Sequence, residues 1–249
     1  MNDKILITGA TGMLGSSLSN IFPAADMLNG KQDLDLTNIQ ETNKWFVDKY
    51  YDVIIHCAAF TNLKYCQENR EKCKILHAYI NDLLSKHCKK LVYISTIPVW
   101  KKSIYKKNVY FETKKVGENI ALLDEDNLVI RTNIYGSSNL AEWAFTSLKN
   151  GKQINGYENS FFNPVHVDQL SECIKELLDN KISGVYTIAS DRTISKYQFL
   201  TELAKILGLD QQLINPVEIE YQDLVLENPD KTVSFLEGME IIKNDYKDR

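Results

Sequence analysis

Through the first 131 residues, short apolar runs bounded by turn residues alternate with segments of helical period. The runs near 4–8, 25–29, 52–58, 90–95 and 127–131 read as strands. Helical patterns fill roughly 13–21, 38–50, 66–88 and 109–123, each long enough to cross over between parallel strands. This alternation predicts an α/β fold, a doubly wound parallel sheet covered by helices on both faces and joined by right-handed crossovers.

After Tyr135-Gly136 the elements shorten. The spacing predicts a helix near 139–150, an extended piece near 161–166, a helix near 167–180, a strand near 184–189 and a helix near 195–208. We therefore expect a dinucleotide-binding domain over 1–135. A small C-terminal α/β substrate lobe follows over 136–249, partly interleaved with the first domain. No internal repeat is visible, and the pattern beyond Asn215 assigns no element.

Residues 5–15, Ile-Leu-Ile-Thr-Gly-Ala-Thr-Gly-Met-Leu-Gly, bring Gly9, Gly12 and Gly15 directly after the first strand and into the first helix. Such a turn needs unusual backbone angles, a pyrophosphate needs the absence of a Cβ to come close, and the helix start offers free N–H groups. Together with the strand order this defines a Rossmann-like nucleotide site, with Thr11, Met13 and Leu14 beside the glycines.

Composition narrows the class. A chain of 249 residues with net charge −4 lacks the basic field that drives nucleic-acid binding. Its one dense basic cluster, Lys101, Lys102, Lys106 and Lys107, reads as a solvated loop. No apolar stretch has spanning length, and no secretory apolar region precedes the first strand, so cytoplasmic residence is expected. The five cysteines, Cys57, Cys66, Cys73, Cys88 and Cys173, show no CxxC spacing and read as free thiols. His56, His77, His87 and His166 show no ligand spacing with them, so no metal is expected.

Tyr110 and Lys114 stand four apart at the start of a helical pattern, which puts phenol and ammonium on one face. A neighbouring positive charge is expected to lower the phenol pKa and make Tyr110 a usable general acid.

Three segments carry a family resemblance. The glycine spacing resembles the fingerprint of extended short-chain dehydrogenase/reductases. Asn108-Val109-Tyr110-Phe111-Glu112-Thr113-Lys114-Lys115-Val116-Gly117-Glu118 resembles the active-site helix of dTDP-4-dehydrorhamnose reductases and related nucleotide-sugar enzymes. Tyr93-Ile94-Ser95-Thr96, followed by Val99-Trp100, resembles the segment that supplies their catalytic serine or threonine, a position Thr96 takes. The resemblance extends to His56-Cys57-Ala58-Ala59-Phe60-Thr61, to Arg131-Thr132-Asn133-Ile134-Tyr135-Gly136, and to two stretches of the second lobe, 162–168 and 184–189.

The resemblance implies NADP(H) or NAD(H) as cofactor and a keto group on a nucleotide-linked deoxysugar as substrate. It places Tyr110 as the acid, Lys114 on the nicotinamide ribose and Thr96 on the carbonyl oxygen. It also implies cofactor contacts from Asp35 and Leu36 beside the adenine, from Cys57, Ala58, Ala59 and Thr61, and from Asn133 and Ile134 beside the nicotinamide. No acid stands directly at the end of the second strand, in Leu28-Asn29-Gly30-Lys31, and Lys31 leans the choice toward NADP. A homodimer through the helices near 66–88 and 109–123 is a further implication.

Thr96 and Tyr110 lie only 14 positions apart, and Ile97-Pro98 stands where relatives carry a polar-aromatic pair. With the abbreviated tail, this leaves the sugar open. Two alternatives stay alongside reduction. One is epimerisation or dehydration by the same apparatus, for which Ile97-Pro98 offers no acid. The other is a non-catalytic nucleotide-binding subunit, which has no physical need for Thr96, Tyr110 and Lys114 together.

Overall fold

The structure is a computed structural model describing residues 3–100, 108–220 and 222–247. The lysine cluster at 101, 102, 106 and 107 lies outside the described residues.

The chain forms two compact units, Met1–Arg131 with Ser171–Tyr186, and Thr132–Leu170 with Thr187–Arg249. The division comes at Arg131, four residues before the expected one, and Ser171–Tyr186 belongs with the first unit.

In the first unit, β1 (Ile5–Thr8) leads into α1 (Met13–Ile21), β2 (Asp26–Leu28), α2 (Ile39–Phe46) and β3 (Tyr51–His56). The long helix expected over 66–88 is broken into α3 (Leu63–Glu68), α4 (Arg70–Lys74), a π turn (Ile75–Tyr79) and α5 (Ile80–Ser85). The first break has a local cause. Asn69 leaves helical geometry at φ −125°, ψ 46°, and its side-chain amide donates back to Tyr65 O at 3.0 Å. Then follow β4 (Cys88–Thr96), α6 (Val109–Ala121) and β5 (Leu128–Thr132).

The remainder runs β6 (Ile134–Tyr135), α7 (Leu140–Lys149), β7 (Ile154–Tyr157), β8 (Ser160–Phe162), β9 (Val165–His166), α8 (Val167–Asp179), β10 (Gly184–Ser190), β11 (Ile194–Ser195), α9 (Lys196–Ile206), β12 (Ile214–Val217), β13 (Gln222–Leu224), β14 (Lys231–Val233) and α10 (Phe235–Asp245). The extended piece near 161–166 is thus two strands. The tail without assignment holds three more strands and a helix.

A seven-stranded, mostly parallel sheet has the order β2-β1-β3-β4-β5-β10-β14. Neighbouring residues such as Leu6 and Ile7, Ile54 and Ile55, and Leu91 and Val92 are all fully buried. That run of adjacent buried positions is what a parallel sheet covered on both faces requires. The 2-1-3-4-5 portion is a doubly wound order whose switch point lies between β1 and β3, where crossovers depart in opposite directions and ligands bind at the strands' carboxyl ends. The second unit has its own core, including Tyr135, Ile154, Phe162, Phe199 and Phe235.

Candidate active site

The carboxyl ends of β1 and β3 are aligned, Thr8 opposite His56, and β3 aligns with β4 through His56 and Tyr93. The turns leaving these strands therefore emerge on one edge of the sheet. Between them lies a crevice of about 260 Å³, lined by Gly9, Thr11, Gly12, Leu28, Gly30, Lys31, Leu34, Asp35, Leu36, Thr37, Cys57, Ala58, Ala59, Phe60 and Leu76.

The floor depends on glycine for two reasons. Gly9 has φ +67°, and a Cβ there would stand 2.8 Å from the Ala58 backbone, so the β1 turn meets the β3 turn only without a side chain. At Gly12 a Cβ would meet Gly9 O alone, at 3.1 Å, and otherwise project into open space. Gly12 is also the N-cap of α1 and supplies no side-chain cap, which leaves N–H groups of the first turn facing outward. Gly15 serves packing, since a Cβ there would collide with Gly9 and Ala10. Leu14 is buried, and Met13 is half-buried at the helix start.

The β2 side supplies the polar wall. Asp35 accepts the Thr37 hydroxyl at 2.6 Å and the Thr37 amide at 2.9 Å, and Lys31 stands 3.4 Å away. Burial raises the Asp35 carboxyl pKa, but the Thr37 bonds and the Lys31 charge outweigh it and hold the group low. An acid does reach the end of β2. Asp33 folds back through the 30–33 turn and accepts the Asn29 amide at 2.7 Å. Sequence proximity to the strand end missed it because the turn, and not the strand, carries it there.

Under the crevice, His56 lies between Thr8 Oγ1, 2.7 Å from Nδ1, and Leu76 O, 3.0 Å from Nε2. Burial lowers its pKa to about 4, so it stays neutral. Thr61 is exposed and lines an adjoining hollow with Asn62, Tyr65 and Glu68, sharing Ala59 and Phe60 with the crevice.

Thr96 is buried at the carboxyl end of β4. Asn108 caps α6 by accepting the Tyr110 amide at 2.9 Å, which fixes where the Tyr110 and Lys114 face begins. Lys114 is buried, its ammonium donating to Ile94 O at 2.8 Å and standing 4.8 Å over the Tyr93 ring. Burial pulls its pKa down to about 8, against the opposing pull of Cys57, Glu118 and Cys66. Lys114 therefore shares an electrostatic neighbourhood with Cys57 in the crevice wall.

Tyr110 meets His77 edge to face, centroids 5.6 Å apart, and Phe111 at 5.3 Å. Its pKa is raised, not lowered as the Tyr-Lys spacing led us to expect, because desolvation dominates. The phenol thus keeps its proton throughout the neutral range. Neither Thr96, Tyr110 nor Lys114 is among the residues lining the crevice itself. Asn133 and Ile134 fall in the other unit. There the Asn133 amide donates to Leu224 O at 2.9 Å, and Ile134 pairs with Val165 in β6 and β9.

A glycine-floored crevice at the switch point of a doubly wound sheet defines a dinucleotide-binding α/β protein. Residues 3–241 match the RmlD substrate binding domain family, and the chain belongs to that family. It is 24% identical over 239 residues to the spore coat polysaccharide biosynthesis protein SpsK of Bacillus subtilis, covering 88% of this chain and 84% of SpsK. It is also 24% identical to the dTDP-4-keto-6-deoxy-D-glucose reductase of Streptomyces niveus, over 87% of this chain and 83% of that protein. The dTDP-4-dehydrorhamnose reductase of Bacillus anthracis, solved in complex with NADP, has the same fold. Its TM-score is 0.87 at 22% identity, covering 98% of this chain and all of that one, 100%. Among the described residues, no helix is long and apolar enough to cross a membrane.

Proposed function

We propose that the chain is an NAD(P)H-dependent reductase acting on a keto group of a nucleotide-linked deoxysugar. The crevice carries this reading, because a cradle left open by the bare Gly12, with Gly9 letting the β1 turn meet the β3 turn, suits a pyrophosphate at the start of α1. Relatives named as reductases of dTDP-linked keto sugars support the substrate class. Gly9, Thr11, Gly12, Met13, Leu14 and Gly15 form the phosphate turn. Asp35 and Leu36 flank the adenine, and Cys57, Ala58, Ala59 and Thr61 follow the dinucleotide along the β3 end.

When bound, the cofactor supplies a hydride to the carbonyl carbon. Lys114 holds the ribose hydroxyls with its ammonium, and Thr96 donates its hydroxyl to the carbonyl oxygen. Tyr110 gives its phenolic proton to that oxygen as negative charge develops. Burial favours this direction, since a phenol held protonated is the form an acid must have.

Lys31 tips the cofactor choice to NADPH. Asp33 is engaged with the Asn29 amide, and Lys31 lines the crevice with its ammonium 5.9 Å from the Phe60 ring centroid. NADPH is expected to bind more tightly than NADH, and Lys31→Glu to weaken NADPH by roughly tenfold or more, the loss of one charged hydrogen bond, while sparing NADH. Fluorescence titration of both cofactors, followed by absorbance with a panel of nucleotide 4-keto sugars, tests this. Cofactor binding without oxidation by any sugar overturns the reductase reading, and an unchanged NADPH preference in the variant overturns only the role of Lys31.

The Lys114 ammonium sets an alkaline limit. Deprotonation near pH 8 removes the charge that holds the ribose, so kcat/KM falls as the pH rises through that value. Lys114→Arg, which keeps its charge, moves the limb upward. A profile that stays level through this region in the unmodified enzyme removes Lys114 from the role.

The remaining proposals are a homodimer and a cytoplasmic location. Tyr79, Val116 and Leu123 are 50%, 39% and 82% exposed on or beside the π turn and α6, the surface the dimer would cover. Sedimentation as a monomer at micromolar concentration removes the dimer. Five free cysteines suit a reducing compartment.

A further inference from the structure

We propose that Cys66, Cys73 and His77 form a binding site for a thiophilic metal ion such as Zn²⁺ or Cd²⁺, and that the ion acts on the crevice through Phe60. Among the described residues, these three alone form a group with ligand atoms mutually within 4.8 Å. All three side chains are fully buried. Nothing in the sequence spacing suggests a zinc finger. The site is made by the Asn69 break, which lets α3 and α4 bring Cys66 to Cys73, and by the π turn that carries His77. Such turns inside helices recur at functional sites.

The imidazole is already in a ligating tautomer. Thr113 Oγ1 spends its proton on Val109 O or Tyr110 O, at 2.8 and 3.0 Å. Its lone pair is then left to accept from His77 Nδ1, 2.8 Å away. With the proton on Nδ1, Nε2 carries the lone pair, which accepts the Phe60 amide at 3.0 Å. A histidine that ligates through one nitrogen while donating from the other is the usual arrangement around a protein-bound metal. Tetrahedral sulfur and nitrogen ligands of zinc stand roughly 3.3–3.8 Å apart, so the three groups need close by only about an ångström.

Phe60 is the link to the crevice. Its amide donates to His77 Nε2, and its carbonyl accepts the Cys66 thiol at 3.3 Å. Binding the ion replaces both contacts. Two S–H bonds break, two metal–thiolate bonds form, two protons pass to solvent, and the Nε2 lone pair turns from the Phe60 N–H to the metal, with no change of oxidation state. Phe60 loses both tethers, although it lines the crevice and faces Lys31. Metal binding is therefore expected to weaken NADPH binding by about tenfold, an ordinary size for coupling between sites. This coupling rests on the cofactor reading above, whereas the metal site does not.

The test uses the full chain, purified under reducing conditions and titrated with Cd²⁺ or Zn²⁺. One equivalent per chain, a thiolate-to-cadmium absorption band, release of two protons and reversal by a chelator are expected. Cys66→Ala and Cys73→Ala each lose the band, and their NADPH affinity no longer responds to the ion. If either variant fails to fold, His77→Gln or thiol protection of the unmodified chain by bound Cd²⁺ provides the same reading. Absence of stoichiometric binding, equal binding by the cysteine variants, or isolation of Cys66 and Cys73 as a disulfide that refuses the ion overturns the site. Stoichiometric binding with NADPH affinity unmoved overturns the Phe60 link alone, and failure of NADPH to bind the metal-free chain points instead to the cofactor reading.

Discussion

Tyr110→Phe is expected to lower kcat by about 10²–10⁴, the usual contribution of a positioned acid, with NADPH affinity and thermal stability unchanged. The substitution removes one oxygen and leaves the ring. The edge-to-face contacts with His77 and Phe111 and the Asn108 cap on the Tyr110 amide all survive it. Loss of a transition-state interaction alone lowers kcat and kcat/KM together. Pre-steady-state and steady-state rates with NADPH and a nucleotide 4-keto sugar measure both. A variant within about threefold of the parent enzyme would assign the proton to another group. The raised pKa of Tyr110 sharpens the expectation, since phenolate formation should add no alkaline limb near neutrality and the decline near pH 8 belongs to Lys114.

The sequence spoke most clearly where chemistry and backbone geometry coincide. Gly9, Gly12 and Gly15 were legible because a left-handed turn, an open approach and a helix contact each exclude side chains, and all three demands fall within seven residues. Strands β1, β3, β4 and β5 were legible because they lie inside the sheet with both faces buried over most of their length, so their apolar runs are nearly continuous. What escaped depends on the chain turning back on itself. Asp33 arrives at the end of β2 through its turn, and Cys66, Cys73 and His77 converge through a helix break and a π turn that no apolar period encodes. The electrostatics of Tyr110 were also beyond spacing. A lysine four residues away predicts a lowered pKa, but the depth at which both groups sit reverses the sign. Strand β14 was missed because three residues at the sheet edge are too few to set an alternation, whereas α10 carried a signal that was not used: Phe235, Met239 and Ile242 at helical spacing behind the Ser234 cap.

The largest stability loss is expected at Glu118, which touches no proposed ligand. Its carboxylate is fully buried and accepts Arg131 Nε at 2.8 Å, an Arg131 terminal nitrogen at 2.7 Å and the Ser95 hydroxyl at 2.7 Å, with Lys115 at 3.1 Å. Helix α6, which carries Tyr110 and Lys114, is thereby tied to β4 one residue before Thr96 and to the end of β5. Burial alone would raise the carboxyl pKa, but the Arg131 pair and the Ser95 bond reverse this and leave it lowered. A lowered folded-state pKa contributes stability that is complete above the ordinary carboxylate range and is lost as the pH falls through the folded value. Glu118→Ala leaves Arg131 charged and unpaired in a largely buried place, and breaking such a pair costs about 3–5 kcal/mol. Urea unfolding at neutral pH should show that loss, and the variant should lack the acid-side decline that Glu118 contributes to the parent. Glu118→Gln keeps the shape and part of the hydrogen bonding, so it should fall between the two. A Glu118→Ala chain that unfolds within about 1 kcal/mol of the parent would mean that packing of α6, and not this ion pair, holds the proposed catalytic face against the strand ends.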